Sequence, residues 1–186
     1  MPGILSVTVY CGSSSDVDPT YLDLARRLGQ AIARRKWRTV YGGGHVGLMG
    51  QVAGSAHEAG GKVLGVMPRF LRNVEGVLDQ VEHRFVDTMH ERKQILFDEA
   101  DAFVVLPGGI GTLEEAIETL SWAKLSLHRK PMAFLSENGY WTPFFELIDH
   151  VIEGGFAPPS FRDLLADAKS PEDSLDALVA RAIVLD

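Results

Sequence analysis

The segment Pro107-Gly108-Gly109-Ile110-Gly111-Thr112-Leu113-Glu114-Glu115 carries the densest chemistry in this chain. An apolar run, Ala102–Leu106, delivers it, and a helical pattern follows at once. Gly108, Gly109 and Gly111 have no Cβ, so a ligand can come close to the backbone. The first N–H groups of a helix have no internal partners, and the helix dipole adds partial positive charge there. Thr112 adds a hydroxyl. Gly108, Gly109, Ile110, Gly111, Thr112 and Leu113 therefore read as a cradle for a phosphate. The pattern G-x-x-x-x-G-K-[ST] is missing and no lysine follows the loop, which favours a single phosphate over a triphosphate. Glu115 lies three residues after Thr112 and shares its helical face. A carboxylate one turn inside an anion site can reach the sugar that the phosphate carries. Glu114 points elsewhere but belongs to the same nucleotide-binding segment. Glu118 shares the face of Glu115 and lies deeper. The same glycines also suit an ordinary strand-to-helix turn, so the segment needs support from elsewhere in the chain.

Met89-His90-Glu91-Arg92-Lys93 opens another helix directly after a strand. Arg92 can fork onto ribose or phosphate oxygens, and Lys93 can supply a point charge. The bland reading is a solvated, charged first turn. Gly42-Gly43-Gly44-His45-Val46-Gly47 matches G-x-G-x-x-G, the dinucleotide fingerprint. Its context argues against that use. It follows the second strand, and the next strand runs into Pro68-Arg69 where an acidic residue is required. Gly43 and Gly44 are read instead as lining a nucleotide pocket, or as letting a helix start tightly against the sheet. The six histidines show no H-E-x-x-H or paired spacing, so neither a catalytic metal nor another cofactor is expected. His90 and His128 alone lie near candidate site segments. Trp122, Trp141, Phe144 and Phe145 sit at helical spacing and read as core or subunit contact.

The elements that must position these residues alternate. Strands are expected at Ile4–Tyr10, Arg38–Tyr41, Lys62–Met67, His83–Val86, Ala102–Leu106 and Met132–Leu135, with a short last strand at Ala182–Leu185. Helices are expected at Pro19–Arg35, Leu48–Glu58, Met89–Glu99, Thr112–Leu127 and Tyr140–Glu153. A last helix opens at the capping box Ser170-Pro171-Glu172-Asp173 and runs to about Arg181. Asn73–Gln80 reads as a loop. This alternation predicts a single α/β domain over 1–186, a Rossmann-like doubly wound parallel sheet with helices on both faces. Ligands in such sheets bind beyond the carboxyl ends of the strands, where Gly12–Ser15, Gly42–Gly44 and Pro107–Thr112 lie. The net charge of −7 argues against nucleic acid or an anionic membrane as partner. The lone Cys11, the lack of a signal-peptide pattern and the lack of an apolar run of about 18 residues point to the cytoplasm.

At these residues the chain resembles the LONELY GUY family, cytokinin riboside 5′-monophosphate phosphoribohydrolases long mislabelled as lysine decarboxylases. Pro107–Glu115 is similar to its Pro-Gly-Gly-x-Gly-Thr-x-x-Glu signature. Tyr10–Ser14, Tyr41–Gly44, Val46–Gly50, Met89–Lys93 and Ser121–Leu125 are similar to further family segments in the same order. The resemblance covers roughly Val7 to Phe156. It implies hydrolysis of the N-glycosidic bond of an adenosine 5′-monophosphate, N6-substituted or not, with Arg92 and Glu115 catalytic. It implies that the Gly108–Thr112 loop holds the 5′-phosphate and that Ser14, Met89 and Lys93 line the nucleotide site. Glu75 is the candidate for an acidic substrate contact. Ser121 stands where many members have Thr. The segment Ser126–Pro131 departs from the usual Gly-Ile-His. The short length resembles the dimeric type, so a homodimer is expected. A catalytically silent nucleotide or cofactor carrier on the same fold is the second reading, and a pyridoxal-phosphate lysine decarboxylase the third.

Overall fold

The computed structural model describes residues 4–185, with side chains described as far as Ala182. Its strands are β1 (Ser6–Tyr10), β2 (Arg38–Tyr41), β3 (Val63–Pro68), β4 (Glu82–Val86), β5 (Ala102–Val105), β6 (Met132–Leu135) and β7 (Leu165–Ala168). Its helices are α1 (Pro19–Arg34), α2 (Gly47–Glu58), α3 (Arg72–Glu75), α4 (Met89–Asp98), α5 (Ile110–Lys124), α6 (Thr142–Glu153) and α7 (Pro171–Leu185), with 3₁₀ turns at Arg69–Leu71 and Pro159–Leu164.

The seven strands form one sheet in the order β4-β3-β2-β1-β5-β6-β7, every pairing parallel. A parallel sheet covered on both faces needs strands that are apolar throughout. β3, β5 and β6 meet that need, and β1 is also buried at every position, with Ser6 and Thr8 among its buried residues. β4, at one edge, instead alternates, with Glu82 and Arg84 exposed. Leu28, Ile32, Leu48, Val52, Leu175 and Leu178 bring α1, α2 and α7 onto one face. Leu96, Ala116, Leu120, Phe144 and Phe145 bring α4, α5 and α6 onto the other. The doubly wound arrangement expected from the alternation is therefore present.

Strand order reverses beside β1, which pairs with β2 on one side and β5 on the other. The chain after β1 and the chain after β5 lead to helices on opposite faces, which opens a crevice between them. The two loops touch there: the Gly12 N–H donates to the Pro107 carbonyl at 3.1 Å.

Three elements differ from the sequence reading. The tail at Ala182–Leu185 is not a strand but the end of α7, because no Gly or Pro interrupts the helix after Pro171. The last strand is Leu165–Ala168, whose register against β6 pairs Met132 with Leu165 and Leu135 with Ala168. Four residues with an acid among them gave no strand pattern; a neighbouring edge supplied it. Helix α5 starts at Ile110 rather than Thr112, which matters below.

Phe134 on β6 is fully buried and stacks on Phe144 at 5.0 Å, with the Trp141 and Phe145 rings set edge-on to it. Phe134→Ala is expected to cost about 3–5 kcal/mol through the cavity it leaves. Urea denaturation followed by tryptophan fluorescence measures it.

Candidate active site

Helix α5 opens with Gly109 at its N-cap, and no side chain caps it. The N–H groups of the first turn therefore face the crevice beside β1 without a protein acceptor from the cap position. A Cβ built on Gly109 or Gly111 meets nothing within 4 Å, so space lies in front of both. Gly108 is different: a Cβ there falls 2.1 Å from Thr112 Oγ1 and 2.8 Å from the Gly12 nitrogen. It is the glycine that lets the loop pack against the turn beneath it. The Tyr140 hydroxyl donates to the Gly108 carbonyl at 2.8 Å and fixes the outer side of the loop.

One turn in, Glu115 lends its backbone carbonyl to the Thr119 hydroxyl at 2.9 Å, while its carboxyl group has no hydrogen bond among the described residues. Burial pushes that carboxyl up to about 7; the Arg92 guanidinium pulls it down, and Glu114, Lys93 and Glu75 act more weakly. Arg92 comes from the first turn of α4, which a complete capping box between Thr88 and Glu91 sets in place. It is 8% exposed, donates Nη2 to the Gly42 carbonyl at 3.0 Å, and leaves Nε buried with no partner. Glu75 Oε2 is likewise buried and unpartnered. A donor and an acceptor thus stand without partners in the electrostatic neighbourhood of a desolvated carboxyl. A sugar hydroxyl both accepts and donates, and suits such a pair.

A family model described as "Possible lysine decarboxylase" matches residues 49–178. A probable cytokinin riboside 5′-monophosphate phosphoribohydrolase of Oryza sativa subsp. japonica is 45% identical over 87% of this chain and 72% of its own length. A cytokinin riboside 5′-monophosphate phosphoribohydrolase of Rhodococcoides fascians is 41% identical over 93% of this chain and 88% of its own. The chain belongs to the LONELY GUY family. Among solved structures, the molybdenum cofactor carrier protein of Chlamydomonas reinhardtii superposes with a TM-score of 0.73 at 22% identity, over 96% of this chain and 98% of its own, a likeness of fold alone.

Not every position that the LONELY GUY resemblance assigns to the site stands open to a ligand. Lys93 Nζ donates to Glu114 at 2.5 Å and to Glu118 at 3.1 Å. Lys93 and Glu114, both expected to contact nucleotide, are engaged with each other. Glu118, four residues after Glu114 and three after Glu115, shares Lys93 with Glu114. Gly43 and Gly44 are buried behind the site, packed on Met67 and on Met49 and Glu75. Gly43 has φ +89 and Gly47 φ +58, so the G-x-G-x-x-G pattern answers to backbone conformation. Ser14 is exposed on the loop after β1, where its hydroxyl accepts from the Asp16 N–H at 3.2 Å. Met89 is 39% exposed beside Arg92, its sulfur 3.9 Å from Nη1. Ser121 is exposed on α5, nine residues beyond Thr112, or about 14 Å along the axis at 1.5 Å per residue. One chain does not bring it to the uncapped end.

Sequence reasoning passed over three supporting residues. Gly42 is one, because a Cβ there falls 2.1 Å from Arg92 Nη2. His45 is another: its Nδ1 lies 2.7 Å from the Glu75 carbonyl and holds the short α3 segment that carries Glu75. Tyr140 is the third. The G-x-G-x-x-G match contains Gly42 and His45 but does not say what they support, since each of the three acts across 30 or more residues of sequence. His128 proves structural: the Lys130 N–H donates to Nδ1 and Nε2 donates to the Thr119 carbonyl, so the ring is neutral, and burial lowers its basicity.

The raised Glu115 carboxyl has a thermodynamic signature. The folded chain holds the proton up to about 7, the unfolded chain only to about 4.5. Its contribution to stability is complete below about 4.5 and is lost as pH rises through 7. Glu115→Gln is therefore expected to match wild-type stability near pH 5 and to exceed it at pH 8 by about 3 kcal/mol. Urea melts at the two pH values check this.

Proposed function

We propose that this chain hydrolyses the N-glycosidic bond of adenosine 5′-monophosphate or an N6-substituted derivative, releasing the free base and ribose 5-phosphate. The observation that carries the reading is a half-buried carboxyl, Glu115, without a hydrogen-bond partner among the described residues, one turn inside an uncapped helix start. The curated relatives at 41–45% identity bear the name of this activity.

The phosphate sits on the N–H groups of Ile110, Gly111 and Thr112, with Gly109 giving it room. That remote anchor orients the sugar. Arg92 and Glu75 take ribose hydroxyls with the polar atoms they leave unpaired. As the bond from C1′ to the base nitrogen breaks, positive charge grows on the sugar, and ionised Glu115 stabilises it. Water attacks C1′, its oxygen bonds to that carbon, and one of its protons ends on the departing base. Glu115 orients that water. Arg92 supplies the opposing charge that favours the ionised carboxylate. The chemistry needs no metal, and the whole chain acts as one nucleotide-binding hydrolase domain in the cytoplasm.

Two copies pair. Ile110, Ile117 and Leu125 are 81%, 50% and 65% exposed and follow one another on the same side of α5. Ser121 lies between the last two on that side, which places it to serve the partner's nucleotide. No helix among the described residues is long and apolar enough to cross a membrane. Against the decarboxylase description stands Lys93: hydrogen bonding to Glu114 and Glu118 raises its pKa, the opposite of what a Schiff-base amine needs.

Glu115→Gln should bind AMP and release no adenine, measured by chromatography of the reaction; adenine at the wild-type rate sinks the reading. A silent carrier predicts AMP binding without adenine from the wild type as well. Because the ionised carboxylate does the work, kcat/KM for AMP should rise with pH through about 7 and then level off. The glycines divide in a second test. Gly109→Ala should change stability by less than about 1 kcal/mol yet weaken AMP binding about tenfold or more, as calorimetry reads it. Gly108→Ala should instead destabilise the fold by about 1–3 kcal/mol through its clash with Thr112.

A further inference from the structure

At the other end of the sheet from Glu115, where β6 begins, lies a pocket of about 680 Å³. That volume suits a small organic ligand. The pocket is bounded by the second half of α5, the segment Ser126–Met132 and the 3₁₀ turn Pro159–Leu164. Leu120, Met132, Phe161 and Leu164 give it an apolar floor. Its rim carries Lys124, Arg129, Lys130 and Arg181 against one carboxylate, Asp163. The balance is four cations to one anion, on a chain whose net charge is −7.

Three of those cations lack a carboxylate within ion-pair distance among the described residues. Lys130 Nζ donates to the Phe97 carbonyl at 2.6 Å and lies over the Phe97 ring. Arg181 donates to the carbonyls of Asp163 and Leu165. Lys124 stands exposed in the last turn of α5 with no partner among the described residues. Half-buried cations held only by carbonyl dipoles keep unspent charge, since a carbonyl does not neutralise a guanidinium or an ammonium. An anion entering the pocket would meet all three.

We infer that this pocket is a second ligand site, separate from the nucleotide crevice, for a small amphipathic anion. The ligand has an apolar ring or branched chain to lie on Leu120, Met132 and Phe161, and one carboxylate, sulfonate or phosphate to meet Lys124, Lys130 and Arg181. The site does not depend on the hydrolase reading. It borders that chemistry all the same. Thr119 lines the pocket, and its hydroxyl holds the Glu115 carbonyl from one turn further along the same helix.

The probe is anilinonaphthalene sulfonate, which has this shape and charge and fluoresces when bound. The full chain should bind it with saturation, and saturating AMP should leave that binding unchanged. Lys124→Glu reverses one rim charge on an exposed helix turn and should weaken binding about tenfold or more. Ala123→Trp fills the pocket without changing charge and should remove binding, with circular dichroism confirming that both variants fold. Wild-type affinity in both variants would place the probe on the exposed apolar side of α5 and overturn the inference. Displacement of the probe by AMP would place it in the nucleotide crevice and overturn it equally.

Discussion

Arg92 brings a guanidinium with five N–H donors into the fold, and it is almost wholly buried. A guanidinium in that position must be met by acceptors or the fold loses several kcal/mol. The Gly42 carbonyl meets one side of it. Much of the site follows from this single requirement. Position 42 has to be glycine, because any Cβ would stand where the guanidinium lies. The start of α4 has to be fixed, and the capping box between Thr88 and Glu91 fixes it. Glu115, half-buried, stands near enough to feel the cation, which moderates a carboxyl that desolvation alone would hold still more firmly protonated. The site is thus a charged group stabilised mostly by dipoles, with a donor left over for something that is not protein.

The sheet decides where this can happen. Beside β1 the strand order changes direction, and the loops after β1 and β5 part to opposite faces. The β5 loop and the start of α5 face that gap, and the β1 loop touches them through Gly12 and Pro107. Arg92 and Glu75 come from farther out on the β2–β4 wing, so one wing supplies the cation and the other the anion cradle. Neither wing contains a complete site.

Legibility in the sequence followed the range of the interaction. Pro107–Glu115 was readable because strand, glycines, helix start and carboxylate are contiguous, and the strands of the sheet interior were readable because they are short runs rich in apolar and β-branched residues, closed by Gly or Pro. The Lys93–Glu114 ion pair was not legible because each looks like a free charge until two helices are packed together. Gly43 and Gly44 read equally as pocket lining or as easing a tight helix start, because glycine content does not say what the glycine makes room for; here Met67, Met49 and Glu75 pack against them. β7 escaped notice because Leu165–Ala168 becomes a strand only against β6. His45 and Tyr140 gave no signal, since each acts through one hydrogen bond to a distant carbonyl.

The buried thiol of Cys11 stands directly before Gly12 at the end of β1. Burial, and then the negative charge of Glu115, push its ionisation far upward. Thiolate, not thiol, is the form that reacts with peroxide or electrophiles. The chain therefore carries its sole cysteine in the packed core beneath the crevice in a weakly reactive state, and thiol-directed oxidants find no handle on it while the chain stays folded. The same thiol becomes reactive once the β1 end opens, so its rate of alkylation is a clock for the opening of the fold around the nucleotide crevice.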